Sequence, residues 1–230
     1  MLEQLREEVL AANLALPRLG LVTLTWGNVS GRDRERDLVV IKPTGVPYAQ
    51  LRAEDLVVID LDARVVEGEL RPSSDTPTHV ALYRAHEEIG GVVHTHSTYA
   101  TAFAQAERAI PLYGTTHADF APLPVPVARH LRAEEVERAY EQATGDILLE
   151  AIGAAGIAKV PAVLAPGHGP FVWGSSATDA VEKAATLEEV AKMALFTRLV
   201  DPGATPLDPV VRDKHFNRKH GPGAYYGQAH

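Results

Sequence analysis

The stretch GGVVHTHS, residues 90–97, decides how the rest of the chain is read. Val92 and Val93 follow a glycine pair and favour extended backbone, so a strand is expected over residues 91–96. Side chains alternate along a strand, which puts His94 and His96 on one face, where two ring nitrogens can grip one ion. Such a pair also occurs as two half-exposed histidines, so a metal reading needs further ligands.

Outward from this strand, helical and extended signals alternate. Thr76 can cap a helix with Pro77 at its first position, continuing over residues 78–88 until Gly90. Residues 97–106 follow the strand as a helix. LVVIK (38–42), DLVVID (55–60), AVLA (162–165) and PFVWG (170–174) are apolar, mostly β-branched runs bounded by turn residues and read as strands. Residues 2–16 form an amphipathic helix with Leu2, Leu5, Val9, Ala12 and Leu16 on one face, ended by Pro17 and Gly20. Residues 133–155 hold two helical pieces broken near Thr144 and Gly145. From Ser176 the pattern S-x-x-D opens a helix reaching about Leu199, with Val181, Ala184, Leu187, Val190 and Ala194 facing inward. The tail after Pro202 reads as loop, although KHFNRKH makes it unusual. No repeat or low-complexity stretch interrupts this pattern. The expectation is an α/β fold, a single domain over residues 1–230 with residues 202–230 as a C-terminal extension.

Composition narrows the function. Of 230 residues, 46% are hydrophobic and 23% charged, which suits a folded globular chain and excludes disordered or fibrous classes. Lys and Arg number 22 against 30 for Asp and Glu, a formal charge of −8, so neither duplex nucleic acid nor an anionic membrane is an expected partner. No apolar run approaches the roughly 18 residues of a membrane span, and the default compartment is the cytoplasm. Cysteine is absent, which removes disulfides, thiolate zinc sites and cysteine nucleophiles. A metal here must sit on histidine and carboxylate.

Two further histidine and acid positions supply that company. His168 lies in PGHGP, where glycine and proline fix a turn and leave room around the ring. Asp75, in RPSSDTP, stands at a helix start, where an ordinary capping role is equally open. Three histidines and one acid, each at a strand end or in a turn, read as a catalytic site for zinc or a similar divalent ion. A second constellation has anion-binding chemistry. WGNVS (26–30), KPTG (42–45) and PSSD (72–75) offer backbone N–H groups beside Gly27 and Gly45, the hydroxyls of Thr44, Ser73 and Ser74, and the Lys42 ammonium, which together can hold a phosphate dianion. Each segment alone is a common turn, and none matches a nucleotide-binding fingerprint.

Together LVTLTWGNVS, IKPTGV, PSSDTPTH, GGVVHTHS, GTTHADF, HGPFVWG and KHFNRKHGPGAYYGQ resemble the class II aldolase/adducin-like family in matching order, over almost the whole chain. The H-x-H and late H-G-P pattern is shared across that family, including fuculose-1-phosphate aldolase, whereas H-A-D and KHG-x-x-AYYGQ resemble its sugar-phosphate 4-epimerase branch. The resemblance implies a central, mostly antiparallel β-sheet flanked by helices, assembled as a homotetramer with active sites between adjacent subunits. It implies zinc ligands His94, His96 and His168 with Asp75 close to the metal, Mn2+ or Co2+ being possible substitutes. Phosphate contacts fall on Asn28, Lys42, Thr44, Gly45, Ser73 and Ser74, and acid/base roles on Asp119 and Tyr226. In APGHGPF the chain departs from the branch, which often carries a second, non-ligating histidine just before the position of His168.

The implied reaction interconverts L-ribulose 5-phosphate and D-xylulose 5-phosphate in pentose catabolism. These differ only at carbon 4, whose hydrogen is not acidic because the carbonyl is at carbon 2. Cleaving and reforming the bond between carbons 3 and 4 inverts that centre, provided a Lewis acid stabilises the enediolate and two groups handle protons on opposite faces of the aldehyde. An aldolase of the fuculose-1-phosphate type is the alternative within enzymes. A non-catalytic adducin-like scaffold ranks below both, because all three histidines are present.

Overall fold

Among the described residues, seven strands make one sheet, and every pairing between them is antiparallel. They are β1 (Asn28–Asp33), β2 (Leu38–Ile41), β3 (Val57–Asp60), β4 (Val65–Glu67), β5 (Gly91–His94), β6 (Ala162–Ala165) and β7 (Gly169–Gly174), in the spatial order β4-β3-β2-β1-β5-β7-β6. This computed structural model describes residues 2–153 and 156–226. Around the sheet lie α1 (Glu3–Arg18), α2 (Thr76–Ala85), α3 (Thr98–Gln105), α4 (Thr115–Phe120), α5 (Ala133–Ile152), α6 (Ala177–Val200) and α7 (Pro209–His220). None of these helices is long and apolar enough to cross a membrane.

Both faces of the sheet are covered, which is why its strands read as continuous apolar runs rather than alternating ones. Val40, Val58, Val93 and Val172 enter a core shared with Val9 and Leu16 of α1 and Leu187 of α6. Their chain neighbours Val39, Val57, Val92 and Phe171 point the other way, into a second core with Leu82 of α2 and Leu148 of α5. The α/β class, the single central sheet and the flanking helices are therefore as the sequence suggested.

Several local expectations differ. Pro17 does not end α1, which continues to Arg18. The segment NVSGRD is strand β1, although its polar residues resemble a turn: its Gly31 lies against Val9 of α1, where an added Cβ would meet Val9 Cγ2 at 2.7 Å. β5 ends at His94, so His96 lies just past the strand, and α2 stops at Ala85 rather than Glu88. In α5 the irregular residue is Ala139 (φ −165°, ψ 70°), not the Thr144–Gly145 pair. Gly145 stays helical and serves close packing, since a Cβ there would meet the Ala81 Cβ of α2 at 2.5 Å. The tail is not loop throughout: Asp208 accepts from the Val210 N–H and starts α7. Residues 154 and 155 of the expected helix lie outside the described residues, as do Gly227 and Gln228 of the tail motif.

The topology fixes where the site forms. With neighbours antiparallel, β1 and β7 begin at the end of the sheet where β2 and β5 finish. Asn28 opens β1, Lys42 follows β2, His94 closes β5 and His168 precedes β7. Residues far apart in sequence thus reach one end of the sheet.

Candidate metal and phosphate site

Asn28 and His94 face each other across the ladder, and Phe171 is the partner of His94 on its other side. The Phe171 ring stacks on His94 with centroids 4.2 Å apart and planes 17° from parallel. A 3.0 Å contact joins His94 Nδ1 to the Pro170 carbonyl. Since a carbonyl can only accept, Nδ1 carries the proton and the Nε2 lone pair is free. That Nε2 lies 3.2 Å from Nε2 of His96. Ring centroids of His168 are 4.6 Å from His94 and 4.9 Å from His96. One nitrogen from each of the three rings falls within 4.8 Å of the others.

The protonation states suit a cation. Burial pushes His94 down to about 3, and burial also lowers His96 and His168. Burial thus disfavours the protonated form of all three rings and favours available lone pairs. Nδ1 of His168 is buried without a partner. Three neutral imidazoles converging on one point fit a divalent ion with an open coordination position. Asp75 lines the same cleft but is not in the 4.8 Å set. Its Oδ2 accepts from Asn28 Nδ2 at 2.7 Å. Burial alone would raise its carboxyl, but the imidazoles of His94 and His79 and the Asn28 hydrogen bond outweigh it and keep Asp75 below the usual range.

The phosphate constellation adjoins the histidines. The Ser73 N–H donates to the Lys42 carbonyl and the Thr44 N–H to the Arg71 carbonyl, so KPTG and PSSD are tied side by side. Gly45 has φ +71° in open space, and Gly27 has φ +79°. At Gly27 a Cβ would meet the His94 carbonyl at 2.8 Å. Gly27→Ala combines strain with a clash against the histidine strand and should cost roughly 2 kcal/mol or more, read as a lowered denaturant midpoint. Tyr48 holds this turn by donating from one hydroxyl towards the carbonyls of Gly27 (2.8 Å) and Trp26 (2.9 Å).

Lys42 is 1% exposed, and its Nζ donates to the Pro43 carbonyl at 3.2 Å. No carboxylate pairs with it among the described residues. Burial pulls its ammonium down to about 8. A buried cation without a counter-charge is a ready receptor for an anion. All ten expected metal and phosphate residues line one cleft of roughly 300 Å3, with Thr25, Trp26, Gly27 and Pro43.

Asp119 and Tyr226 are not in that cleft. Asp119, on α4, accepts from Arg218 Nε (3.0 Å) and Nη2 (2.5 Å), and His215 Nδ1 lies 3.1 Å away. Burial works against its ionisation, but the hydrogen bonds from Arg218 and His215 prevail and lower its carboxyl. The Arg218 guanidinium sits 4.7 Å from the centre of the Tyr226 ring, which is 59% exposed. The two residues thus share one cluster, organised by Arg218. Arg218 and His215 are not among the site residues expected from the sequence. Their i, i+3 spacing within KHFNRKH, one helical face, was the available signal.

The family model described as the class II aldolase and adducin N-terminal domain matches residues 7–195. The chain is 54% identical over 227 residues to L-ribulose-5-phosphate 4-epimerase UlaF of Salmonella paratyphi A, covering 99% of this chain and 100% of that protein. The Salmonella paratyphi B protein of the same name is 53% identical over the same shares. Among solved structures, an L-fuculose 1-phosphate aldolase superposes with a TM-score of 0.81 at 25% identity, covering 95% of this chain and 97% of that one. The L-fuculose-1-phosphate aldolase of Thermus thermophilus superposes with a TM-score of 0.67 at 25% identity, over 89% and 99%.

Proposed function

Since the chain belongs to the class II aldolase and adducin N-terminal domain family, we propose that it is a zinc-dependent epimerase interconverting L-ribulose 5-phosphate and D-xylulose 5-phosphate in cytoplasmic pentose catabolism. The observation that carries this reading is the single cleft in which three convergent imidazoles adjoin a buried, unpaired lysine and a hydroxyl-lined turn. Similarity to the UlaF epimerases over their full length supports the choice of substrate.

Asn28, Lys42, Thr44, Gly45, Ser73 and Ser74 hold the phosphate, and Asn28 also fixes Asp75 beside the reacting carbons. His94, His96 and His168 would hold a divalent ion, which would supply Lewis-acid stabilisation of negative charge developing on the substrate oxygens. As the bond between carbons 3 and 4 breaks, one group takes the proton of the carbon 4 hydroxyl, leaving glycolaldehyde phosphate and the enediolate of dihydroxyacetone. The aldehyde turns over while its phosphate stays anchored. When the bond reforms, a group on the opposite face returns the proton. Asp119 and Tyr226 take these two roles. Within one chain they stand outside the cleft, which favours a homotetramer in which one subunit's cluster completes the next subunit's site.

Incubating the protein with L-ribulose 5-phosphate tests the reading. D-Xylulose 5-phosphate is the expected product. Accumulation of free dihydroxyacetone and glycolaldehyde phosphate would instead mark an aldolase, the second reading, which the superposition on fuculose-phosphate aldolases favours. No change at all would leave neither.

Lys42 gives a pH signature. Near and above about pH 8 the free protein loses the Lys42 charge, so KM for the phosphorylated sugar should climb with pH while turnover changes less. Lys42→Met should raise KM at neutral pH by roughly 10- to 100-fold and remove that climb. A pH-independent KM in the native protein would take Lys42 out of the phosphate site. Stability moves the opposite way. An unfolded lysine binds its proton up to about pH 10.4, the buried one only to about 8, so the native state gains stability as pH rises between these values.

A further inference from the structure

The buried ammonium of Lys42 has a neutral partner. Its Nζ stands over the face of the Tyr48 ring, 5.0 Å from the ring centre. The ring quadrupole attracts a cation placed there, and the attraction is strongest where both groups are out of water. Here they are, since Lys42 is 1% and Tyr48 6% exposed. Tyr48 opens a single 3-10 turn, Tyr48–Gln50, directly after Pro47. Its ring belongs to the apolar core with Leu16 of α1, Leu51 and Leu56, so packing fixes where the ring face lies. At the other end of the side chain the hydroxyl donates towards the Gly27 and Trp26 carbonyls. One residue therefore joins the two halves of the phosphate cleft, the segment that carries Lys42 and the turn that leads into Asn28.

An ammonium carries three donors and no acceptor. One donor is used on the Pro43 carbonyl at 3.2 Å. A carboxylate in place of the ring would balance the charge, but it would also repel an incoming phosphate dianion and take the donors that the dianion needs. A ring face favours the charged form without doing either. The other ionisable groups lining the cleft are Asp75, His94, His96 and His168, and burial is what draws the Lys42 ammonium down. We infer that Tyr48 is a positioning residue of the phosphate site, its ring face keeping Lys42 charged and in place for the dianion while its hydroxyl holds the Gly27 turn. The inference rests on the phosphate role proposed for Lys42 and not on the chemistry at carbons 3 and 4.

Tyr48→Leu would remove the ring but also open the core, so a graded series gives the cleaner test. Tyr48→Phe, Tyr48→4-fluoro-Phe and Tyr48→3,4,5-trifluoro-Phe all lack the hydroxyl and keep the shape of the ring, while fluorine progressively drains its negative face. Lysine labelled with carbon-13 at Cε reports the Lys42 titration by NMR on the intact protein, and Lys42→Met identifies its signal. The midpoint should fall by about one pH unit from the first member of the series to the last, roughly tenfold in the ionisation constant. At pH 7.5 a fall from about 8 to about 7 cuts the charged fraction about threefold. The dissociation constant of inorganic phosphate, read by calorimetry, and KM for L-ribulose 5-phosphate should therefore both rise about threefold, with turnover changing less. A midpoint and a phosphate affinity constant across the series would overturn the inference and leave Tyr48 as packing alone. A falling midpoint with constant phosphate affinity would also overturn it, because Lys42 would then not hold the anion. Native protein inert towards L-ribulose 5-phosphate, with phosphate affinity still following the ring series, would remove the epimerase reading and leave this inference standing.

Discussion

His168→Ala should leave a folded protein that has lost its metal and nearly all of its turnover. His168 occupies the turn before β7 and is only partly buried, so truncation opens the cleft without cutting into either apolar core. What it removes is one of three converging imidazole nitrogens that could hold a metal ion. If metal stabilises the enediolate charge by several kcal/mol, its loss lowers the rate by about a thousandfold or more. Elemental analysis should find the variant nearly metal-free after dialysis, with an unfolding midpoint close to that of the native apo protein. Chelation of the native protein should reproduce the loss, and zinc, manganese or cobalt should restore activity there but not in the variant. Native protein shown to be metal-free and still turning over at its original rate would end the metal assignment.

The three histidines proposed as ligands are legible in the sequence because turns and strand ends advertise themselves through glycine, proline and β-branched residues. GGVVHTHS and PGHGP single out His94, His96 and His168, and similar punctuation singles out Lys42, Ser73 and Asp75. The elements missed were those shaped by tertiary packing. β1 carries Asn28, Ser30 and Gly31 in a buried central strand, where the Asn13 side chain donates to the Val29 carbonyl and accepts from the Val29 N–H. α7 buries no residue, so apolar periodicity could not reveal it, and only Asp208 and Pro209 marked its start. Its docking on α4 through Arg218, His215 and Asp119 links residues about a hundred positions apart. The i, i+3 spacing of His215 and Arg218 can mark one helical face but not the partner, Asp119, that it meets.

Tyr226→Phe probes the cluster that stands outside the cleft of its own chain. If Asp119 and Tyr226 serve opposite faces of the aldehyde, the variant keeps metal, phosphate grip and Asp119 but lacks one proton carrier. Epimerisation should fall by roughly a hundredfold or more. Supplied with dihydroxyacetone and glycolaldehyde phosphate, the variant should still form the carbon–carbon bond, giving mainly one of the two pentulose phosphates. Equal amounts of both at the native rate would show that Tyr226 carries no proton. The same variant also reports on assembly. Tyr226 lies with Arg218 and Lys219 on the exposed tail, not in the cleft of its own chain. Suppose each site takes its histidines from one subunit and its tyrosine from the next. In oligomers co-expressed from equal amounts of His168→Ala and Tyr226→Phe, a site then has intact histidines half the time and an intact tyrosine, independently, half the time. About a quarter of sites are whole, so about a quarter of native activity should return from two nearly inactive parents. If both residues came from the same subunit, no mixed oligomer would contain a whole site. Recovery indistinguishable from the parents would therefore rule out an active site shared between subunits.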